Sequence, residues 1–213
     1  MKILFFLIVS AVIPINVVAQ TKTDAKDIVE KTSQLYREWG GMEIAFVANI
    51  SSVKNGTSES FEGTITMKGD KFVLKTPDMT TWFDGKTQWT YITRNNEVNV
   101  IEPSDKDLRF LNPMFLINDY KKDFNVSLIG ESTSGNAKTA YDILLVPKKN
   151  DDFEKIEVQI EKSTFLPARL VATMRNDMRS SITIRQINRS NEADAVFLYP
   201  KEQYPDAEII DLR

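Results

Sequence analysis

The chain has 213 residues, 42% of them hydrophobic and 27% charged, an ordinary globular composition. Lys plus Arg number 27 against 30 Asp plus Glu, a formal charge of -3, so no basic excess exists to neutralise phosphates and nucleic acid is not an expected partner. With neither Cys nor His, the sequence excludes thiol nucleophiles, Ser-His-Asp triads, His bases and thiolate or imidazole metal sites. Catalysis, a cofactor and a metal are therefore not expected.

Residues Met1 to Ala19 read as a secretory leader. Lys2 is the positive start, Ile3 to Ile13 the apolar core, and Val17-Val18-Ala19 a small-residue cleavage site. Pro14 and Asn16 interrupt the run short of the roughly 18 to 20 apolar residues that a spanning helix needs. The expectation is cleavage after Ala19, a single domain over 20–213, and a periplasmic location. Without cysteines that domain must fold on core burial alone.

From Asp24 to Trp39 the positions Ala25, Ile28, Thr32, Leu35 and Trp39 recur in steps of three and four, which predicts one amphipathic helix. Thr23 or Asp24 can cap it and Gly40-Gly41 can end it. Strands follow. Met42, Ile44, Phe46, Ala48 and Ile50 alternate with the residues between them, Asn55-Gly56 signals a hairpin, and Phe61, Gly63, Ile65 and Met67 return. Further turns at Lys68 to Lys71, Asp84-Gly85 and Arg94 to Asn96 join short strands through Phe72 and Leu74, Trp82, Trp89 and Tyr91, and Val98 and Val100.

A polar stretch from Pro103 leads into apolar residues from Leu108 to Tyr120, spaced as short helices broken at Asn112-Pro113. Alternation resumes at Phe124 to Leu128, Tyr141 to Val146, Ile156 to Ile160, Ala168 to Met174, Ser180 to Ile187 and Ala195 to Leu198. The total is about ten strands in one antiparallel meander, which must curl to protect its edges. The tail beyond Pro200 carries no clear pattern.

Several stretches, in this order, resemble the LolA-type periplasmic lipoprotein carriers: Gly63-Thr64-Ile65-Thr66-Met67-Lys68 before Lys71-Phe72; Asp84-Gly85-Lys86-Thr87-Gln88-Trp89-Thr90-Tyr91; Asn112-Pro113-Met114-Phe115-Leu116-Ile117; Leu145-Val146-Pro147-Lys148; Asn176 to Ser181; and Phe197-Leu198-Tyr199-Pro200. The resemblance implies a mainly β fold, an unclosed antiparallel barrel of about eleven strands with an N-terminal amphipathic helix, and short central helices as a lid over a hydrophobic cavity. It further implies a monomeric carrier that shields the acyl chains of lipoproteins between an inner-membrane lipoprotein-releasing transporter and an outer-membrane acceptor.

Alternation and this resemblance together nominate Ile44, Phe46, Ile65, Met67, Phe72, Leu74, Trp82, Trp89 and Tyr91 as cavity wall, with Met114, Phe115 and Ile117 from the lid. Each buried methylene contributes about 0.8 kcal/mol, so ten would contribute about 8 kcal/mol and hold a lipid without a covalent link. One departure stands out. The family commonly has an Arg near position 68 that holds the lid, and this chain has Lys68, which lacks the guanidinium fork. Rival readings are a carrier or sensor of another hydrophobic ligand such as a glycolipid or pigment precursor, a packed barrel acting as a surface adaptor, and a carboxylate hydrolase built on Asp84 and Glu97.

Overall fold

The computed structural model describes residues 24–52, 54–111 and 120–213. The expected leader and the lid residues Met114, Phe115 and Ile117 lie outside the described residues.

Helix α1 spans Ala25–Trp39. Asp24 caps it, its carboxylate accepting from the Lys26 amide at 3.0 Å, and Gly40 ends it in the left-handed conformation, φ 71, with its amide on the Arg37 carbonyl. Its buried stripe includes Ala25, Ile28, Val29, Thr32 and Tyr36, one step round from the expected Leu35 and Trp39, which are half-buried.

Six strands follow as a meander: β1 (Met42–Ser52), β2 (Thr57–Lys68), β3 (Lys71–Lys75), β4 (Met79–Phe83), β5 (Gln88–Ile92) and β6 (Glu97–Ile101). The chain then passes through α2 (Asp105–Leu111) and α3 (Tyr120–Asp123) to a second meander: β7 (Phe124–Thr133), β8 (Thr139–Pro147), β9 (Phe153–Glu161), β10 (Pro167–Met174) and β11 (Met178–Arg189). Strand β12 (Glu208–Asp211) comes from the tail.

All twelve form one sheet, in the order β12-β6-β5-β4-β3-β2-β1-β11-β10-β9-β8-β7. The expected single meander is thus two, joined where β11 lies antiparallel to β1, and the sheet is unclosed, with β7 and β12 at its edges. Twelve described strands exceed the sequence reading of about ten, and the tail, which carried no clear pattern, contributes β12, parallel to β6.

One face carries α1, and its apolar residues form a single core cluster: Ile28, Val29 and Tyr36 of α1 meet Ile44, Ile65, Phe72, Ile143, Ile156 and Ile184, with Leu108 of α2 and Tyr120 of α3. Cross-strand partners share a face, which makes the registers decisive. The β11 alternation of Ile182 and Ile184 breaks before Ile187. A bulge at Arg185 absorbs the extra residue, so that Phe46 faces Ile184 and Ile44 faces Ile187.

The opposite, outer face is polar over much of the sheet but apolar on β3 to β6. There the tail covers it. Ala195 to Leu198, expected as a strand, is instead a 3-10 turn, Asp194–Phe197, held by local bonds such as Val196 N–H to the Ala193 carbonyl. It drives Phe197, fully buried, against Val73 and Trp82.

Gly63 is required by a close approach. A Cβ there would lie 2.6 Å from Phe46 Cζ and 2.9 Å from the Lys75 carbonyl oxygen, so the Phe46 ring rests on bare β2 backbone. The Gly63→Ala variant gains less than about 1 kcal/mol from a stiffer unfolded chain. The clash costs about 1–3 kcal/mol, so a net loss is expected, seen as a lower urea midpoint with an unchanged m-value.

Glu161, 5% exposed, joins the β7–β8 and β9–β10 turns by accepting from Lys138 Nζ at 2.9 Å, Thr164 Oγ1 at 3.2 Å and Asn136 Nδ2 at 3.3 Å. Burial raises its pKa, but the Lys138 and Asn136 bonds, the Lys138 charge and the Thr164 bond outweigh this and leave it below the ordinary 4.5. A carboxyl lowered on folding stabilises above its unfolded value, and that contribution disappears as pH falls through the folded value. The Glu161→Gln variant is expected to be less stable at neutral pH and to lose less stability between about pH 5 and about pH 3 than the parent, measured by urea unfolding at a series of pH values.

Candidate functional site

Six of the nominated residues come together. Ile44, Phe46, Ile65, Met67, Phe72 and Leu74 line the helix-bearing face of β1 to β3 within one cluster, none more than 9% exposed. The long one-sided alternation of β1 and β2 identified Ile44, Phe46, Ile65 and Met67, and Phe72 and Leu74 of β3 share their face as cross-strand partners of Met67 and Ile65.

Trp82, Trp89 and Tyr91 do not join them, and the expectation is corrected. Phe72 pairs with Phe83 and Val73 with Trp82, so Phe83 faces α1 while Trp82 faces outward; Trp89 follows its partner Trp82, and Tyr91 follows Thr80. The strands here are short and apolar on both sides, Phe72-Val73-Leu74 and Trp82-Phe83, so period-two counting offers two choices one residue apart. The β3–β4 turn makes the choice: Thr76 N–H donates to the Met79 carbonyl at 2.9 Å. Outward, Trp82, Tyr91, Tyr199 and Tyr204 form an aromatic cluster with ring centroids 4.4 to 5.7 Å apart.

One end of the helix-bearing face is closed by α1. The Tyr36 hydroxyl donates to the Gly69 carbonyl at 2.5 Å, and the Thr32 hydroxyl to the Phe165 carbonyl at 2.8 Å. Burial and then the Asp70 charge push Tyr36 up to about 12, so it remains a donor.

Toward the other end the cover thins. Phe61, Met79, Ala172, Met174 and Ile182 pack against the core yet stay half-buried. Phe61, Ala48 and Ile182 form one cross-strand row, next to the row in which the Phe46 ring lies on Gly63. Sequence reasoning missed Met79 and Phe83 through the β4 register and did not use Phe61, although it lies on the same alternation as Ile65 and Met67.

The crossing segment is anchored by charge. Arg109 of α2 donates to Asp123 at 2.5 Å and to Asp151 at 3.2 Å, all three side chains being 17 to 22% exposed, which ties α2 to the start of β7 and the β8–β9 loop. Lys121 pairs with Glu30 of α1 at 2.7 Å, and the Tyr120 hydroxyl reaches the Lys26 carbonyl at 3.2 Å and Glu30 at 3.3 Å. Burial first, then the Glu30 charge, raise Tyr120 to about 12.

Among the described residues Lys68 makes no bond to this segment. It points to the outer face, where Lys68 and Lys71 donate to Asp194 at 2.8 and 2.7 Å and pin the tail. The Lys68 and Lys71 bonds hold the Asp194 carboxyl at about 2.

At the β4–β6 edge the helix-bearing face turns polar: Thr81 and Thr90 share a hydroxyl bond of 3.2 Å, and Gln88 Nε2 donates to Thr90 Oγ1 at 3.1 Å. Asp84 caps its own turn, accepting from the Lys86 and Thr87 amides, and stands at the opposite end of β5 from Glu97, so the two form no catalytic pair. Among the described residues no three acidic side chains converge where a metal ion could be held. A cleft of about 430 Å³ beside Arg109 is lined by Asp105, Asn150, Asp151, Asp152 and Arg175, polar or charged throughout and no place for an acyl chain.

An uncharacterised protein of Methanocaldococcus jannaschii is 26% identical over 152 residues, 69% of this chain and 44% of that protein, so the chain spans less than half the length of this curated relative. An uncharacterised conserved protein of Thermus thermophilus superposes with a TM-score of 0.55 at 15% identity, over 88% of this chain and 98% of that one, and has the same fold. A LolA superfamily protein of Nitrosomonas europaea gives a TM-score of 0.47 at 11% identity, over 83% of this chain and 98% of that one. The family model described as outer membrane lipoprotein carrier protein LolA matches residues 15–177, a span running from before α1 to past the end of β10. On that match, and with the unclosed, helix-covered sheet it predicts, the chain belongs to the LolA family of outer membrane lipoprotein carriers.

Proposed function

We propose that this protein is an extracytoplasmic, non-catalytic carrier that shelters the acyl chains of a lipoprotein, or of another lipid, between α1 and the sheet. In this reading it takes cargo from an inner-membrane releasing transporter and hands it to an outer-membrane acceptor. The observation that carries the proposal is the uneven cover of one continuous apolar face. Tyr36 and Thr32 close one end, while Phe61, Met79, Met174 and Ile182 leave the other half-covered and continuous with the core.

Two of these residues are Met, whose unbranched, polarisable side chains repack around chains of different length. At about 0.8 kcal/mol per methylene, a few buried methylenes hold a chain, and an opening lined by half-exposed groups releases it without breaking a specific bond. Phe46, seated on Gly63 next to the Phe61 row, stands between the half-covered end and the closed core.

A second reading, a packed sheet acting through its surface, is favoured by the burial of Phe72 and Met67, 0% and 1% exposed. Native mass spectrometry with lipid extraction, on protein from the periplasm of its own host, separates the two. The carrier predicts co-purified lipid or acylated protein and uptake of a fluorescent fatty-acid probe. The Phe61→Glu and Met79→Glu variants should weaken uptake at least about tenfold with unchanged circular dichroism, because each places a charge where an acyl chain would lie. A clean unliganded mass with no probe uptake would sink the carrier and leave the packed sheet.

A further inference from the structure

Across the helix-bearing face, two neighbouring cross-strand rows change character toward β6. One runs Leu74, Thr81, Thr90, Asn99; the next runs Phe72, Phe83, Gln88, Ile101. Polar side chains thus intrude beside the apolar core, and two of them are buried, Thr81 at 1% and Gln88 at 7% exposed, while Thr90 and Asn99 are half-buried.

Their hydrogen bonds do not close. Gln88 Nε2 donates to Thr90 Oγ1 and the two threonine hydroxyls share one bond, which leaves a hydroxyl hydrogen over. Gln88 Oε1 is buried and accepts from no donor among the described residues. A buried amide oxygen without a donor is costly, and such groups in a native fold call for an explanation. Residues facing a purely apolar ligand would have no reason to keep it. Leu or Met at this position would pack against Phe83 without that cost.

We propose that Gln88, supported by Thr81 and Thr90, is a polar subsite of the interior that recognises a hydrogen-bond donor next to an acyl chain, an amide N–H or a hydroxyl, with the chain itself lying along Phe72, Leu74 and Phe83. This rests on the carrier reading and adds to it a ligand class: amide-linked or hydroxyl-bearing acyl groups are preferred over esters or hydrocarbons that offer no donor. Gln88 Oε1 accepts the ligand's hydrogen, and the remaining threonine hydroxyl hydrogen is available to the ligand's carbonyl oxygen. A site built to pair a polar group discriminates strongly against the analogue lacking it, because the protein's own group is then left buried and unpaired.

The test compares N-methylpalmitamide with N,N-dimethylpalmitamide on the full chain, by displacement of a fluorescent fatty-acid probe. The two ligands share chain and carbonyl and differ in the amide hydrogen. The expected result is roughly tenfold tighter binding of the N-methyl compound. In the Gln88→Met variant, which keeps the length and removes the acceptor, the two should agree within about twofold, with the dimethyl compound bound no more weakly than by the parent. Equal affinities of the parent for the two ligands would overturn the subsite and leave the carrier standing. Failure to bind either would overturn the carrier reading and the subsite with it. The comparison on the parent decides the matter even if the variant does not fold.

Discussion

Strand β11 pairs with β1 along its whole length, from Met42 opposite Arg189 to Ser52 opposite Met178, and this seam turns two meanders into one sheet. Each meander alone would leave a long unpaired edge at its centre. Joined, they present one broad apolar face, wide enough to receive α1 and the crossing segment, and α1 in turn touches β7 as well as the β2–β3 turn. The seam brings together residues far apart in sequence, so it is entropically late, and most of the core cannot be buried until it forms.

The bulge at Arg185 shows how finely that seam is adjusted. Without the bulge, Ile187 would turn outward relative to Ile184 and one end of the apolar face would lose a member. With it, both isoleucines face the α1 side, and Gly63 gives the Phe46 ring of the same row its place on the neighbouring strand.

The far half of the first meander follows a different rule. Strands β3 to β6 are apolar on the outer face, where Val73, Trp82, Trp89, Tyr91 and Val98 need cover, and partly polar on the helix-bearing face, where Thr81 and Gln88 are buried. The tail supplies the cover with Phe197, Tyr199 and Tyr204, the Asp194 clamp on Lys68 and Lys71, and β12 on the edge of β6. The lysine found where the family usually has an arginine thus serves the tail, and Arg109 with Asp123 and Asp151 holds the crossing segment.

By itself the sequence determined what local chemistry controls: the capped helix from Asp24 to Gly40, the alternation of β1, β2 and β9, the turn role of Asp84 and, through the absence of Cys and His, the kinds of site that could not be built. It also identified six residues of the apolar face, four of them on β1 and β2, whose alternation is one-sided, and two, Phe72 and Leu74, on β3. Tertiary structure alone decided which way Trp82, Trp89 and Tyr91 face, where the tail goes, how Arg185 resets the register and that Gln88 is buried with an oxygen that no described residue pairs. The physical reason is common to all four. Period-two alternation separates two faces of a strand without saying which is inside, and when both are apolar, or when a residue's partner is more than a hundred positions away, only the packed chain makes the assignment.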